Sequence, residues 1–119
     1  MSETRLITRD NLVGSLRIVV PGFEINPDWL DGDFGDPLGY PIIDDLARYI
    51  CDQARLADFD QVRNGLAFLE GGLESGDTYI LDLVHESLET LLACDNITAI
   101  KAYFGPRVLD LWNASFQTQ

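Results

Sequence analysis

The sequence is short of positive charge. Only eight Lys and Arg residues stand against 20 Asp and Glu residues, and the formal net charge at pH 7 is −12. A protein with this charge repels nucleic acid and anionic membranes and attracts basic molecules. The sequence therefore predicts a basic protein as the partner, and neither a nucleic acid nor a membrane.

Residue types that carry catalysis or bind metals are also scarce. The chain has one histidine, His85, and no serine or cysteine in a recognisable nucleophile motif. Asp31, Asp33 and Asp36 offer three oxygen ligands, but an EF-hand loop counted from Asp31 needs glycine at its sixth position and glutamate at its twelfth, where Asp36 and Ile42 stand. No glycine-rich phosphate loop is present. We expect a protein that is not an enzyme and that holds no metal or cofactor.

Cys51 and Cys94 are the two cysteines, and they form no CxxC motif. The first ten residues lack the apolar core of a signal peptide, and no apolar run approaches the ~20 residues that a membrane span requires. We expect both cysteines to be free thiols in a reducing compartment, which predicts a cytoplasmic protein.

Apolar residues recur at three- and four-residue spacing, the period of amphipathic helices. Asp10 can cap a first helix over residues 12–20, although the β-branched end of that stretch also fits a strand. A second helix begins near Pro41, with Asp44 and Asp45 in its first turn, where acidic residues are favoured. The period favours a helix in both places.

A third and a fourth helix follow. Asp58 and Gln61 form a capping-box pattern for the third helix, which the glycine pair at 71–72 should end. Turn residues at 75–77 precede the fourth helix. Its apolar stripe should bury Leu81, Val84, Leu88 and Leu91.

Asp95 can cap a fifth helix, and Pro106 fits the first position of a sixth. Short connections between helices favour antiparallel neighbours. The sequence thus predicts an all-α protein: residues 1–119 form a single helical domain, a compact bundle or short stack of five to six antiparallel helices. A long acidic loop rich in proline and glycine follows the first helix.

That loop, residues 23–45, carries seven acidic residues and no Lys, Arg or His. Aromatic side chains among carboxylates are typical of a surface that binds a basic protein. In the other interpretation, the aromatic residues cover one end of the bundle and the acids keep the loop soluble. The predicted partner-binding residues are Asp28, Trp29, Asp31, Asp33, Phe34, Asp36 and Tyr40.

The stretch PIIDDLARYICDQARLADFDQVRNGLAFLEGGLESGD, followed by YILDLVHESLETLL, resembles a group of small bacterial helical proteins. They are the immunity proteins of contact-dependent growth inhibition and related polymorphic toxin systems. The resemblance covers about residues 21–92 and rests on residues that begin or end helices and on residues that pack between them. It implies an all-α protein that neutralises a cognate toxin, often a nuclease, by occluding its active site or substrate cleft. No catalytic residues come with this family.

Two other classes of function fit the same residues. An intracellular helical adaptor or regulatory subunit could use the acidic surface to recruit a basic protein unrelated to toxins. An enzyme could use a pair of carboxylates, although the groove that such chemistry needs is hard to build from a chain of this size.

Overall fold

Residues 6–32 and 37–116 are described by a computed structural model of the chain, and they form six α-helices and one short 3-10 helix. The described residues contain no strand, only an isolated parallel bridge between Ile7 and Gly76. The predicted all-α class is confirmed. In chain order the elements are α1 (Leu12–Val19), the 3-10 helix (Pro27–Trp29), α2 (Gly39–Arg55), α3 (Phe59–Ser75), α4 (Thr78–Leu92), α5 (Ile97–Lys101) and α6 (Pro106–Phe116).

Among these helices, none combines the length and the apolar character needed to cross a bilayer.

The first apolar stretch is a helix and not a strand. Leu12 and Leu16, one turn apart, are both fully buried. The prediction that Asp10 caps this helix is wrong, because α1 begins after Asn11. The Asn11 side chain accepts a hydrogen bond from the Thr8 amide and donates one to the Leu6 carbonyl, so it fixes the chain that enters the helix.

The second helix starts earlier than the sequence suggested. Pro41 lies in its first turn, as predicted, but α2 begins at Gly39. The placement of Asp44 and Asp45 in the first turn is therefore wrong, because both fall in the second turn. Their carboxylates instead accept hydrogen bonds from the side chains of other elements, as described below.

The third helix runs past the glycine pair that was expected to end it. Asp58 accepts a hydrogen bond from the Gln61 amide at its start, and the helix continues to Ser75. Gly72 serves helix packing: a Cβ there would lie 2.9 Å from Cγ2 of Val84 in α4. The glycine lets α3 and α4 approach closely.

The fourth helix is capped by Asp77, which accepts a hydrogen bond from the Ile80 amide at 3.0 Å. The prediction that Leu81 is buried is wrong, because this side chain is 39% exposed and Ile80 takes the inner position. Val84, Leu88 and Leu91 are buried as predicted.

The last two helices are short: α5 packs against α2, and α3 holds the start of α6. Asp95 does not cap α5, which begins after Asn96. Pro106 opens α6, as predicted. The Glu70 carboxylate of α3 accepts hydrogen bonds from the Arg107 and Val108 amides, both at 2.9 Å. A side chain from another helix thus satisfies the free amides at the start of α6.

Helices α2 and α4 are parallel neighbours. Tyr40 contacts Tyr79, Thr90 donates to Asp44, and Cys51 bonds Cys94, so positions along both helices increase in the same direction. Helix α3 connects them and runs antiparallel to both. The core between them includes Ile42, Leu46, Ile50, Leu66, Phe68, Leu69, Leu83 and Leu88.

The two cysteines form a disulfide, so the expectation of two free thiols is wrong. Cys51 lies in the last third of α2, and Cys94 follows α4 in the connection to α5. The two Cα atoms are 6.1 Å apart, and 43 positions separate the residues in the sequence. The bond therefore closes a loop that contains all of α3 and α4.

Candidate functional site

Helix α2 takes residues 39–45 of the predicted loop, so the acidic loop denotes residues 23–38 from here on. Trp29 attaches this loop to α2. This residue ends the 3-10 helix, and its indole Nε1 donates a hydrogen bond to Oδ2 of Asp45 at 2.7 Å. Its carbonyl accepts a hydrogen bond from the Leu38 amide, also at 2.7 Å, which ties Trp29 to the residue that precedes α2. Because the ring is half-buried against the core, Trp29 anchors the loop.

Two predicted contact residues, Asp28 and Asp31, lie beside this anchor and are exposed. The Asp28 amide donates to the Asn26 side chain at 2.9 Å, which sets the turn and leaves the Asp28 carboxylate in solvent. Within the described residues neither carboxylate forms an ion pair. Both are therefore available to a cation from outside.

Tyr40, in the first turn of α2, is 45% exposed. Its ring meets the ring of Tyr79 edge-on, with the centroids 6.4 Å apart. The predicted residues Asp33, Phe34 and Asp36 lie outside the described residues. The structure thus places Asp28, Trp29 and Asp31 together in the loop, with Tyr40 at the start of the helix that the loop precedes.

Tyr79 also lines a shallow cleft of about 450 Å³. The Arg9 guanidinium sits over the Tyr79 ring, 4.5 Å from its centroid. Thr8, Asp10 and Asp77 complete the lining. Tyr79 therefore contacts Tyr40 and also lines a cleft that holds charges of both signs.

Three arginines outside the loop form ion pairs with acids of their own helix. Arg48 and Arg55 in α2 each pair with an aspartate three residues earlier, and Arg63 in α3 does the same. Such exposed pairs add little stability, and the exposed acids of the loop and of α4 are among the carboxylates that form no ion pair with Lys or Arg in the described part of the chain. The acidic partners are Asp45, Asp52 and Asp60, in that order.

Two carboxylates meet across the α2/α4 contact. Asp44 accepts a hydrogen bond from the Thr90 hydroxyl at 3.0 Å, and Glu86 lies beside it. Burial, followed by the negative charges of Asp44 and Glu89, raises the pKa of Glu86 above its usual 4.5. The folded protein therefore holds a proton at Glu86 more readily than the unfolded chain does.

This pKa shift predicts a pH effect on stability. Because the pKa is higher in the folded state, the free energy of unfolding should fall as the pH rises from about 4.5 through the folded-state pKa. Glu86→Gln, which keeps the shape without the charge, should be more stable than the wild type at pH 7 and should lose this dependence. Urea unfolding between pH 4 and pH 7 measures the effect.

Asp82→Asn is the matched control, since Asp82 is an exposed carboxylate of the same helix. It should change stability less than Glu86→Gln at pH 7. If the two substitutions raise stability equally, the gain does not come from the burial and charge repulsion of the Glu86 carboxylate.

His85 has the neighbours of a Ser-His-acid arrangement. Its Nε2 lies 3.3 Å from the Ser115 hydroxyl, and its Nδ1 lies 3.5 Å from the Glu89 carboxylate. The second distance exceeds an ordinary hydrogen bond, and His85 and Glu89 are each about half exposed. Water therefore competes for both groups, and we assign no catalytic step to them.

Sequence reasoning found the loop but missed what holds it. Asp45 was assigned to a helix terminus, whereas it accepts the Trp29 indole hydrogen bond. Tyr79 was not considered, although it joins Tyr40 to the cleft. Both contacts link residues that are far apart in sequence, and spacing alone carries no signal for them.

Comparisons with known proteins identify the family of this chain. Neither a curated protein nor a solved structure matches the chain. A family model described as a domain of unknown function, DUF7674, matches residues 16–118, which run from the middle of α1 beyond the end of α6. The chain belongs to the DUF7674 family.

Proposed function

We propose that the chain is an immunity protein that binds a cognate, basic bacterial toxin domain of the nuclease type. The observation that carries the proposal is the acidic loop, which Trp29 anchors to α2 while Asp28 and Asp31 stay exposed and form no ion pair among the described residues. A nuclease cleft presents basic groups to phosphates, and carboxylates on a fixed loop complement such a cleft. The inhibitor would occlude the active site or the substrate cleft.

The loop residues and Tyr40 would have different roles in binding the toxin. Asp28 and Asp31 would meet Lys or Arg side chains of the toxin, and the exposed Tyr40 ring would supply an apolar anchor at the start of α2. Trp29 would hold the loop in position, since its indole N–H is already used by Asp45. Occlusion requires no catalytic group, metal or cofactor from the inhibitor.

The location follows from the toxin's site of action. An inhibitor of a nuclease acts where the nucleic acid is, which places it in the cytoplasm. The Cys51–Cys94 disulfide favours a second location, an oxidising compartment, because such bonds are rare in reducing ones. Alkylation under denaturing conditions, after the cells are quenched with acid, separates the two because it also reaches the buried Cys94: labelled cysteines support the cytoplasm, and unlabelled cysteines support the oxidising compartment.

Calorimetric titration tests the function. The probe is the C-terminal toxin domain encoded next to this chain, titrated at low and high salt, with rescue of toxicity measured in parallel. We expect one-to-one binding with a Kd on the order of nanomolar, weakened by salt. Absence of both binding and rescue would reject the immunity role for this pair and favour the adaptor class.

Charge reversal locates the contact. The double substitution Asp28→Lys with Asp31→Lys should weaken binding by about 10- to 100-fold, because two attractions become repulsions. The matched control reverses Asp95 and Asp110, which are also exposed and form no ion pair among the described residues. Each pair of substitutions changes the net charge by four, from −12 to −8. Equal losses would mean that total charge, and not the loop, determines affinity.

A further inference from the structure

Helix α5 depends on other elements for its order. It has five residues, and no side chain caps its N-terminus. A helix of this length is not stable by itself in water. Ile100 is its one buried residue, and α5 packs against α2. Cys94 lies three residues before α5 and is bonded to Cys51 of α2.

Two attachments bracket residues 95–104, the segment that contains α5. Before the segment, Cys94 is covalently bonded to α2. After it, the Glu70 carboxylate of α3 holds the amides at the start of α6. Within it, Tyr103 stacks on Phe59 of α3 with the ring centroids 5.3 Å apart. Cleavage of the disulfide therefore removes the covalent attachment that precedes α5 and leaves the attachment that follows it.

The chemistry at this bond is simple. Cys51 and Cys94 are the only cysteines of the chain, so within one molecule their sulfur atoms form either a disulfide or a pair of thiols. Cys51 is partly buried, whereas Cys94 is 8% exposed, which makes Cys51 the more accessible residue to an external thiolate. In reducing compartments a protein disulfide is usually transient and responds to the redox state.

We propose that the Cys51–Cys94 bond is a redox-operated latch for α5. A thiolate of a dithiol reductant attacks Sγ of Cys51, the S–S bond breaks, and Sγ of Cys94 leaves as a thiolate that takes up a proton. The second thiol of the reductant then attacks the mixed disulfide and releases Cys51 as a thiol. Two electrons and two protons thus pass to the protein, and the reductant becomes a disulfide. In the reduced protein residues 95–104 open more often, which uncovers Ile100 and the surface of α2 beneath α5.

The latch lies away from the loop. Gly39, the first residue of α2, and Cys51 are 12 positions apart, which corresponds to about 18 Å along the helix. The proposal therefore goes beyond the immunity function and does not rest on the toxin contact assigned to the loop.

Lys101 makes opening of α5 measurable, because it is the only lysine of the chain and the last residue of this helix. Its Nζ lies 5.8 Å from the centroid of the Trp112 ring in α6. A lysine-specific protease cuts only after Lys101, and it requires the chain around that residue to be unfolded. We expect cleavage of the wild type to be about tenfold or more faster in dithiothreitol than without it. Equal cleavage rates would overturn the proposal.

Two variants separate the latch from a general loss of stability. Cys51→Ala with Cys94→Ala should be cleaved at the rate of the reduced wild type, whether or not dithiothreitol is present. Leu83→Ala keeps the disulfide and removes fully buried atoms that lie near the loop, since a Cβ at Gly39 would be 3.1 Å from Cδ1 of Leu83.

Leu83→Ala lowers the global stability but should change the rate of cleavage after Lys101 less than about twofold. Equal acceleration by Leu83→Ala and by reduction would assign the cleavage to global unfolding and overturn the proposal. Thermal unfolding checks that the variants are folded.

Reduction of the folded protein tests whether the bond is accessible. The probe is reduced thioredoxin, a dithiol protein, added without denaturant, and alkylation followed by mass spectrometry counts the thiols. We expect two thiols per chain while the protein stays folded. Thiols that form only after urea is added would mean that the bond opens only on unfolding, and that result would overturn the proposal.

Discussion

Replacing Cys51 and Cys94 by alanine should lower the free energy of unfolding by about 2 to 4 kcal/mol. The bond closes a loop across a sequence separation of 43 and therefore restricts the unfolded chain strongly. It also ties the last third of α2 to the connection between α4 and α5. Denaturant unfolding of the purified protein under oxidising conditions measures the loss.

Reduction of the wild type is the matched control. The reduced wild type should unfold at nearly the same denaturant concentration as the double-alanine variant, and reductant should not affect that variant. If reductant leaves the wild type unchanged, either the bond is absent in solution or it adds no stability.

Adding a single methyl group at Gly65 should also destabilise the protein. A Cβ at this position in α3 would lie 2.5 Å from Cγ1 of Ile50, which is fully buried in α2. Ile50 cannot swing into solvent, so the two helices must separate. We expect Gly65→Ala to lower the free energy of unfolding by about 1 to 3 kcal/mol despite the better helix propensity of alanine.

Gly71→Ala, in the same helix, should have the opposite effect on the free energy of unfolding. No atom outside the local backbone lies within 4 Å of a Cβ at Gly71. Alanine there should raise stability by about 0.5 to 1 kcal/mol, because it restricts the unfolded chain and favours the helix. Thermal and urea unfolding of the two variants compare them directly, and a stabilising Gly65→Ala would contradict the close α2/α3 contact.

Helix periodicity was sufficient for the fold class but not for helix ends. The apolar spacing identified every long helix, and Pro106 marked the start of α6. The glycines at 71–72 were misread as a terminus, because a glycine required by a close helix contact looks the same in sequence as one that ends a helix. Similarly, Ile80 and Leu81 compete for the inner position, and only the approach of α3 selects Ile80.

Contacts between distant segments were beyond sequence reasoning. The disulfide forms because α2 and α4 lie side by side and parallel, which brings Cys51 to Cys94. Neither the periodicity of the helices nor the spacing of the cysteines predicts that arrangement of α2 and α4. The same holds for Trp29, whose role as an anchor depends on Asp45. The loop could be recognised from composition, whereas its attachment could not.

The parallel arrangement of α2 and α4 has an electrostatic consequence. The aligned peptide dipoles of a helix place partial positive charge at its N-terminus. Because Tyr40 contacts Tyr79, the N-termini of these two long helices lie at one end of the molecule, together with Asp77. The acidic loop leads directly into the first of them, at Gly39. The backbone itself therefore offsets part of the self-repulsion among the carboxylates at this end, in addition to the Arg9 guanidinium that lies over the Tyr79 ring.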